Sequence, residues 1–388
     1  MIFNTWSFAL FMTAVCAVFW AFPSGRWRQG VLAASGVLYF GYAYPPFLPL
    51  LLGLTMATWW AARATGRGPW MAGLVACVGV LAWFKYRHFL GAMMGGDWEV
   101  AYSRKIPMGL VPLGISFFTF EFVHYLVDVR MGRAVPGRLG AYTSFIFFFP
   151  SMVSGPIKRW QFFEAQREQA PKAGDIPWLE GGWRIVQGLF KKLVLADTFA
   201  LLAKALADPA SASTMGLWKA TFAYSGQILF DFSGYSDVAI GCGLLLGYRL
   251  PENFNFPYGR RNISEFWRNW HMSLSSWIRD YLFIPLGGSR TSRGRVVFNL
   301  AFVMAMCGLW HGAGLNFVVW GLWHGMGLVG WHIFHKWREG KSPWPCSVIW
   351  NGLSRAATFL FVCVGWVFFA ASSLQAAFVA LSRMGGWK

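Results

Sequence analysis

Apolar residues run almost without interruption along this 388-residue chain, and its sparse charges fall between the runs. Continuous apolar stretches near or above about 18 residues predict membrane-crossing helices, whereas barrel strands would alternate every second residue. The first stretch, up to Phe22, lacks a basic leading flank and a small-residue cleavage site. It is expected to remain as a first span rather than act as a signal peptide. A second run covers 31–44, and a proline cluster (Pro45, Pro46, Pro49) turns the chain into a third, closed by Arg63 and Arg67. Runs four and five lie at about 70–90 and 108–129.

Beyond Tyr142 the pattern changes. SFIFFFPSMVSGPIKRW is apolar but broken by Pro150, Gly155 and Pro156, which predicts a re-entrant or interfacial piece covered by protein. The polar linker 161–177 leads to 183–206, where Arg184, Lys191, Lys192 and Asp197 among apolar residues suggest a helix starting at the interface. In 214–250 the block DFSGYSD predicts a broken helix whose Asp231 and Asp237 line a polar cavity. Close packing through small residues accounts for its glycines and serines equally well. Segment 263–284 is too charged for lipid and too aromatic for water, so it reads as one interfacial helix, capped by Ser264 and ended by Pro285 and Gly287-Gly288. Three ordinary spans follow, at 296–310, 314–334 and 348–371.

The expected architecture is an all-α polytopic bundle of about ten to twelve spans with re-entrant and interfacial pieces. It forms one membrane-embedded domain over 1–388: N-terminal spans in 1–138, a motif-bearing core in 139–336, and a C-terminal span in 337–388.

Composition supports this class: 56% of residues are hydrophobic and only 13% charged, about half the charge of a soluble domain. The net charge of +18 would suggest nucleic acid in a soluble protein, but there is no soluble module to carry that function. Instead, arginines follow the first run (Arg26, Arg28), the third (Arg63, Arg67) and the fifth (Arg130, Arg133, Arg138), while the loop after the second run is uncharged. The loop after the fourth mixes Asp97 and Glu99 with Arg104 and Lys105. The positive-inside rule then places the N-terminus outside the cytoplasm. Six scattered cysteines, none in a C-x-x-C pair, read as buried small hydrophobes.

The chemistry concentrates in 258–325. An ionisable group at membrane depth is costly to keep and marks function by default. His271 sits in WRNWH, and His311 in CGLWHGAG, where Gly308, Gly312 and Gly314 allow close approach. On one continuous helix Arg268, His271 and Ser275 would share a face, with Asp280 opposite. A second Trp-His-Gly recurs at His324. If the helix continued, thirteen residues would turn it about 220° away from His311, leaving at most one of the two in a cavity. His332 and His335 lack a carboxylate or cysteine at ligand spacing, so no metal is expected. His124 and Asp128 form an H-x-x-x-D pair on one helix face, a weak catalytic candidate. No G-x-S-x-G elbow supports a serine hydrolase.

FWRNWHMSLSSWIRDYLFIPLGG, with GISFFTFEFVHYLVDV, FFPSMVSGPIKR, DFSGYSDVAIG, LPENFNFPY and LWHGAGLNFVVWGLWHG, closely resembles the membrane-bound O-acyltransferase family over about 114–325. The likeness is to the bacterial branch that includes alginate O-acetyltransferase and the teichoic-acid D-alanyl transfer protein. IPLGGSR and SGYSD look more like the alginate side. The resemblance implies a helical bundle around a funnel or tunnel, in a bacterial inner membrane. It implies His271 and His311 as the signature pair, with His311 as general base and His271 orienting or stabilising. His124 stands where the family does not usually carry histidine.

The chemistry so implied is transfer of an acetyl group from a cytoplasmic thioester, acetyl-CoA, to or towards a hydroxyl of an exported polysaccharide such as alginate. No permanently bound cofactor is expected. Arg260, Arg261, Arg268 and Arg279 would hold donor phosphates or else anchor the interface, and Glu121, Asp231 and Asp237 would line the cavity. Implied partners are the donor, the polysaccharide or an extracytoplasmic acetyltransferase, and lipid. Family members often run longer at the C-terminus. Competing readings are D-alanyl transfer from a carrier protein, and a transporter or non-catalytic scaffold of an export complex.

Overall fold

The computed structural model describes residue 3 and residues 5–94, 112–169, 171–340 and 347–387. The expected loop charges Asp97, Glu99, Arg104 and Lys105 lie outside the described residues, as does Cys346. Among the described residues regular structure is helical, apart from one isolated antiparallel bridge between Phe254 and Trp270. Among the described residues four helices are long and apolar enough to cross a membrane: Arg67–Arg87, Thr214–Leu245, Arg293–His311 and Val348–Ala370. The chain divides into two compact units, residues 1–190 with 234–251, and residues 191–233 with 252–388.

The first unit contains α1 (Trp6–Trp20), α2 (Gly25–Ala43), α3 (Leu48–Arg63), α4 (Arg67–Met94), α5 (Ile115–Arg130), α6 (Leu139–Ile146), α7 (Trp160–Gln169) and α8 (Trp178–Phe190). Its core is aromatic, with Phe118, Phe122, Tyr125, Tyr142, Phe145 and Trp160 buried together. The expected re-entrant piece matches its sequence: α6 lasts two turns, and Phe147, Phe148 and Phe149 after it are fully buried.

An acidic and imidazole stripe on α5 holds the return of that piece. Glu121, His124 and Asp128 lie three and then four residues apart, so they share a face of an otherwise apolar helix. Lys158 Nζ donates to Glu121 Oε1 at 2.5 Å, the Trp160 backbone N–H donates to His124 Nε2 at 3.1 Å, and Gln161 Nε2 donates to Asp128 Oδ2 at 2.6 Å. His124 Nδ1 lies 3.2 Å from the Phe120 carbonyl, so both its nitrogens are engaged in holding structure. The H-x-x-x-D pair is therefore used as a clamp. Breaking a buried ion pair strands the remaining charge, so Lys158→Ala should lose about 3–5 kcal/mol. Replacing both partners together (Lys158→Met with Glu121→Leu) should lose much less. Thermal unfolding in detergent checks both.

The DFSGYSD expectation is corrected. A single helix, α10 (Thr214–Leu245), runs through that block without a break. Its small residues serve packing: a Cβ on Gly188 of α8 would meet the Gly234 carbonyl and Val238, and one on Gly241 would meet Gly181 and Ile185. Close backbone approach outweighs the low helix propensity of glycine. Segment 183–206 stays helical as far as Leu202, with its hydrogen-bond register changed part-way. After α8 come a π-helical turn at Lys191–Ala196 and a short α9 (Asp197–Leu202).

The second unit contains α9, the part of α10 up to Ser233, α11 (Ile263–Trp267), α12 (Met272–Ile278), α13 (Arg293–His311), α14 (Leu315–Arg338), α15 (Val348–Ala370) and α16 (Leu374–Met384). Residues 263–284 are two short helices and a π-helical turn (Arg279–Phe283), not one continuous helix. The cap is Asn262, not Ser264. Its Oδ1 accepts from the Glu265 N–H at 2.8 Å, and the Glu265 carboxylate returns to the Arg261 N–H at 3.3 Å. α13 and α14 form an antiparallel hairpin, because Gly312 and Gly314 are extended and end the first helix at His311.

Candidate active site

His271 occupies the break between α11 and α12, and the break is held from outside. The segment 253–255 lies along 269–273: the Met272 N–H donates to the Asn253 carbonyl at 2.9 Å, and the Asn255 N–H donates to the Asn269 carbonyl at 3.0 Å. Buried Asn253 also accepts the Ser273 hydroxyl at 2.6 Å through its side chain. This clamp keeps His271 at φ 43°, one of two non-glycine positive φ values among the described residues. Left-handed backbone at a bulky residue is strained, and such strain tends to gather at functional positions. Arg268, His271 and Ser275 do not share one helix face, because the helix is broken between Trp267 and Met272.

The His271 ring is 1% exposed and meets Phe232 edge-on at 4.5 Å. Neither ring nitrogen has a hydrogen-bond partner among the described residues. Burial lowers its pKa, so the ring is neutral near pH 7. Asn253→Ala would remove the acceptor of the Ser273 hydroxyl, costing about 0.5–1.5 kcal/mol. It should also release the strained backbone and slow turnover more than tenfold, while Asn253→Asp, which still accepts, should retain more. Unfolding midpoints measured beside initial rates separate the two effects.

His311 ends α13, half-buried. Its ring lies 4.6 Å from Trp310, 5.1 Å from Trp320 and 5.1 Å from Phe369. His271 packs on the same Trp310 ring at 6.2 Å. The two distances end to end bound the separation of the imidazoles at about 11 Å. The structure thus gathers both sequence-identified histidines around one indole.

Beside this cluster is a cavity of about 550 Å³, lined by Ser264, Trp267, Arg268, Met272, Ser275, Ser276, Arg279 and Leu328. That is within the usual range for a small-molecule site. Of the four candidate arginines, Arg268 and Arg279 line it, with Arg279 Nε also donating to Asp280 Oδ1 at 2.8 Å. Arg260 donates instead to the Asn255 carbonyl at 2.6 Å, and Arg261 reaches Asn351 Oδ1 at 3.5 Å and Glu265 at 3.8 Å. The carboxylates are elsewhere engaged: Asp231 with Lys192 at 2.6 Å, Asp237 with Arg184 at 2.7 Å, and Glu121 with Lys158. Among the described residues no group of three His, Cys, Asp or Glu could hold a metal ion.

Sequence reasoning missed three contributors: Asn253, Phe232 and His324. His324 was set aside on the premise of a helix running on from His311. With the helix broken, α14 folds back and brings Trp320 onto His311 at 5.1 Å, and His324, one turn further along α14, packs on the same indole at 5.0 Å. Both histidines join one aromatic cluster.

The family model for MBOAT, the membrane-bound O-acyltransferase family, matches residues 138–373, which include both histidines and the arginine-lined cavity. The chain belongs to the membrane-bound O-acyltransferase family. It is 35% identical over 408 residues to the probable alginate O-acetylase AlgI of Pseudomonas aeruginosa, covering 100% of this chain and 76% of that protein. It is 34% identical to the peptidoglycan O-acetyltransferase of Helicobacter pylori, covering 92% and 73%. Similarity to the teichoic acid D-alanyltransferase of Bacillus subtilis is 32%, over 66% and 68%. This acyltransferase is therefore a helical, multi-pass membrane enzyme, as its sequence pattern indicated.

Proposed function

We propose that this acyltransferase moves an acetyl group from a thioester donor to, or towards, a hydroxyl of an exported cell-surface polysaccharide. The observation that carries the reading is the placement of His311 and His271 on one indole, beside a cavity lined by two arginines and three serines. Relatives that cover nearly the whole chain are O-acetylating enzymes, while the D-alanyltransferase covers less of it.

His311 takes the proton of the acceptor hydroxyl as its oxygen attacks the thioester carbonyl. The tetrahedral intermediate carries its negative charge on the former carbonyl oxygen, where a neutral N–H of His271 is suited to stabilise it. Collapse forms the ester, breaks the carbon–sulfur bond and returns the proton from His311 to the departing thiolate. Arg268 and Arg279 suit phosphate groups of a coenzyme A-type donor, because guanidinium pairs well with phosphate oxygens. The aromatic walls limit water and so favour transfer over hydrolysis. In this reading the protein lies in a bacterial inner membrane with its N-terminus outside the cytoplasm. Its acceptor is the polysaccharide itself or an extracytoplasmic acetyltransferase that passes the group on.

Purified protein in liposomes, given labelled acetyl-CoA or a D-alanyl carrier-protein thioester with a polysaccharide acceptor, tests the reading. Alkali-labile acetyl ester is expected from the first donor alone. Transfer only from the D-alanyl donor would overturn the acetyl assignment, and no ester from either would overturn the reading as a whole.

A further inference from the structure

α10 carries a polar stripe that the chemistry above does not use. Tyr224, Gln227 and Asp231 lie three and then four residues apart, so they share one face of the helix. Lys192, in the π-helical turn before α9, reaches that face. Its Nζ lies 2.6 Å from Asp231 Oδ1 and 3.4 Å from Asp197 Oδ1. Phe199 of α9 fixes the arrangement: its ring stacks on Phe230 at 5.8 Å and covers Gly226, where an added Cβ would meet it at 3.1 Å.

The depth of the stripe follows from length. α10 has 32 residues, about 48 Å of helix against about 30 Å of hydrocarbon. Asp231 stands about 26 Å from the first residue, so it falls within the hydrocarbon wherever a full crossing is placed. A charged pair facing lipid at that depth is strongly disfavoured; such groups border the bundle interior or a water-filled path. Yet the Asp231 side chain is 50% exposed and that of Lys192 39%. Gln227, one turn away, is half-buried and makes no side-chain hydrogen bond among the described residues. The stripe therefore borders open, polar space. That space adjoins the site, because Phe232, next to Asp231, meets the His271 ring at 4.5 Å. Amide, phenol and carboxylate together offer donors and acceptors, which suits hydroxyl groups. Lys192 is shared by two carboxylates and Lys191 is engaged as well, so neither cation is left to match an anion.

We propose that Tyr224, Gln227 and Asp231, with Lys192, line the path by which an uncharged, hydroxyl-bearing acceptor reaches His271 and His311. The proposal rests on the acetyl-transfer reading given above and deepens it by naming the acceptor class: a neutral sugar unit, not a uronate.

The test compares the full chain in liposomes with Gln227→Leu and Asp231→Asn, using acetyl-CoA and either a neutral gluco-oligosaccharide or an oligouronate of equal length. Each substitution should raise KM for the neutral acceptor about tenfold, with kcat within about twofold. KM for acetyl-CoA should not change, whereas a merely structural role would move both KM values or kcat. The oligouronate should be the poorer acceptor of the wild type. Access is read separately in Gln227→Cys, as the rate of reaction with a charged, membrane-impermeant thiol reagent. Reaction well above the wild-type background, slowed by the neutral oligosaccharide, is expected. A rate no higher than background would set the stripe against lipid and overturn the proposal. Unchanged acceptor KM in both variants, or a preference for the oligouronate, would overturn it too, with acetyl transfer intact in each case. Should Asp231→Asn fail to fold, Gln227→Leu and the labelling rate decide. Wild-type protein that acetylates neither sugar would overturn the functional reading and the proposal together.

Discussion

His311→Ala is expected to lower the rate of acyl transfer about a thousandfold, with the protein still folded. General-base catalysis by a positioned side chain is worth roughly 10² to 10⁴ in rate. Here the ring stands at the end of α13, and the hairpin turn is held by backbone, with the Gly312 N–H donating to the Gly308 carbonyl. His271→Ala should cost less, about a hundredfold, since an orienting or stabilising N–H is removed while the base remains. The order matters more than the absolute values. If His271 were the base, its removal would be the more damaging, and His311→Ala would act mainly on KM. Initial rates in isolated membranes, normalised to the amount of folded protein, distinguish the two.

Gly321→Ala should be nearly as damaging, but by a different route. A Cβ at Gly321 would land on the Met304 carbonyl, and one at Gly308 on the Phe317 carbonyl. At both points α13 and α14 touch backbone to backbone, and a carbonyl in a helix cannot turn aside as a side chain can. The hairpin would have to spread, at a cost of at least about 2 kcal/mol by analogy with overpacked cores. Spreading moves Trp320 away from His311, and a displacement of about 1 Å in a catalytic group can cost a hundredfold. Gly330→Ala on the same helix is the control. Nothing lies within 4 Å of its added Cβ, so it should be neutral or stabilising by up to about 1 kcal/mol. Unfolding in detergent and turnover of the two variants, measured side by side, check both effects.

The hydrophobic pattern was enough to recover the helical class and the three late helices, because a helix needs only its own residues to satisfy its backbone. The buried FFFP turn was legible as well, since Pro150, Gly155 and Pro156 forbid a continued helix. Tertiary contacts decided the rest. DFSGYSD looked like a break because glycine is a poor helix former, yet Gly234 lies where α8 needs close approach. Glu121 looked like a cavity residue because a lone carboxylate among apolar residues suggests function. Its stripe with His124 and Asp128 was the signal that it belongs to a clamp, and Lys158, which completes the pair, lies 37 residues away. His271 and His311 stood out through their flanking motifs, but what holds His271 did not. Asn253 acts through a backbone pairing that has no helical or strand period to reveal it. His324 was misplaced by a single assumption, that the chain continues as a helix through Gly312 and Gly314.

Mass spectrometry of cell-surface glycans from cells making His311→Ala at wild-type levels tests the imidazole's role most directly. Near-complete loss of ester-linked acetyl groups is expected, with the same glycans otherwise intact. Acetylation persisting at the wild-type level would contradict His311 as the base.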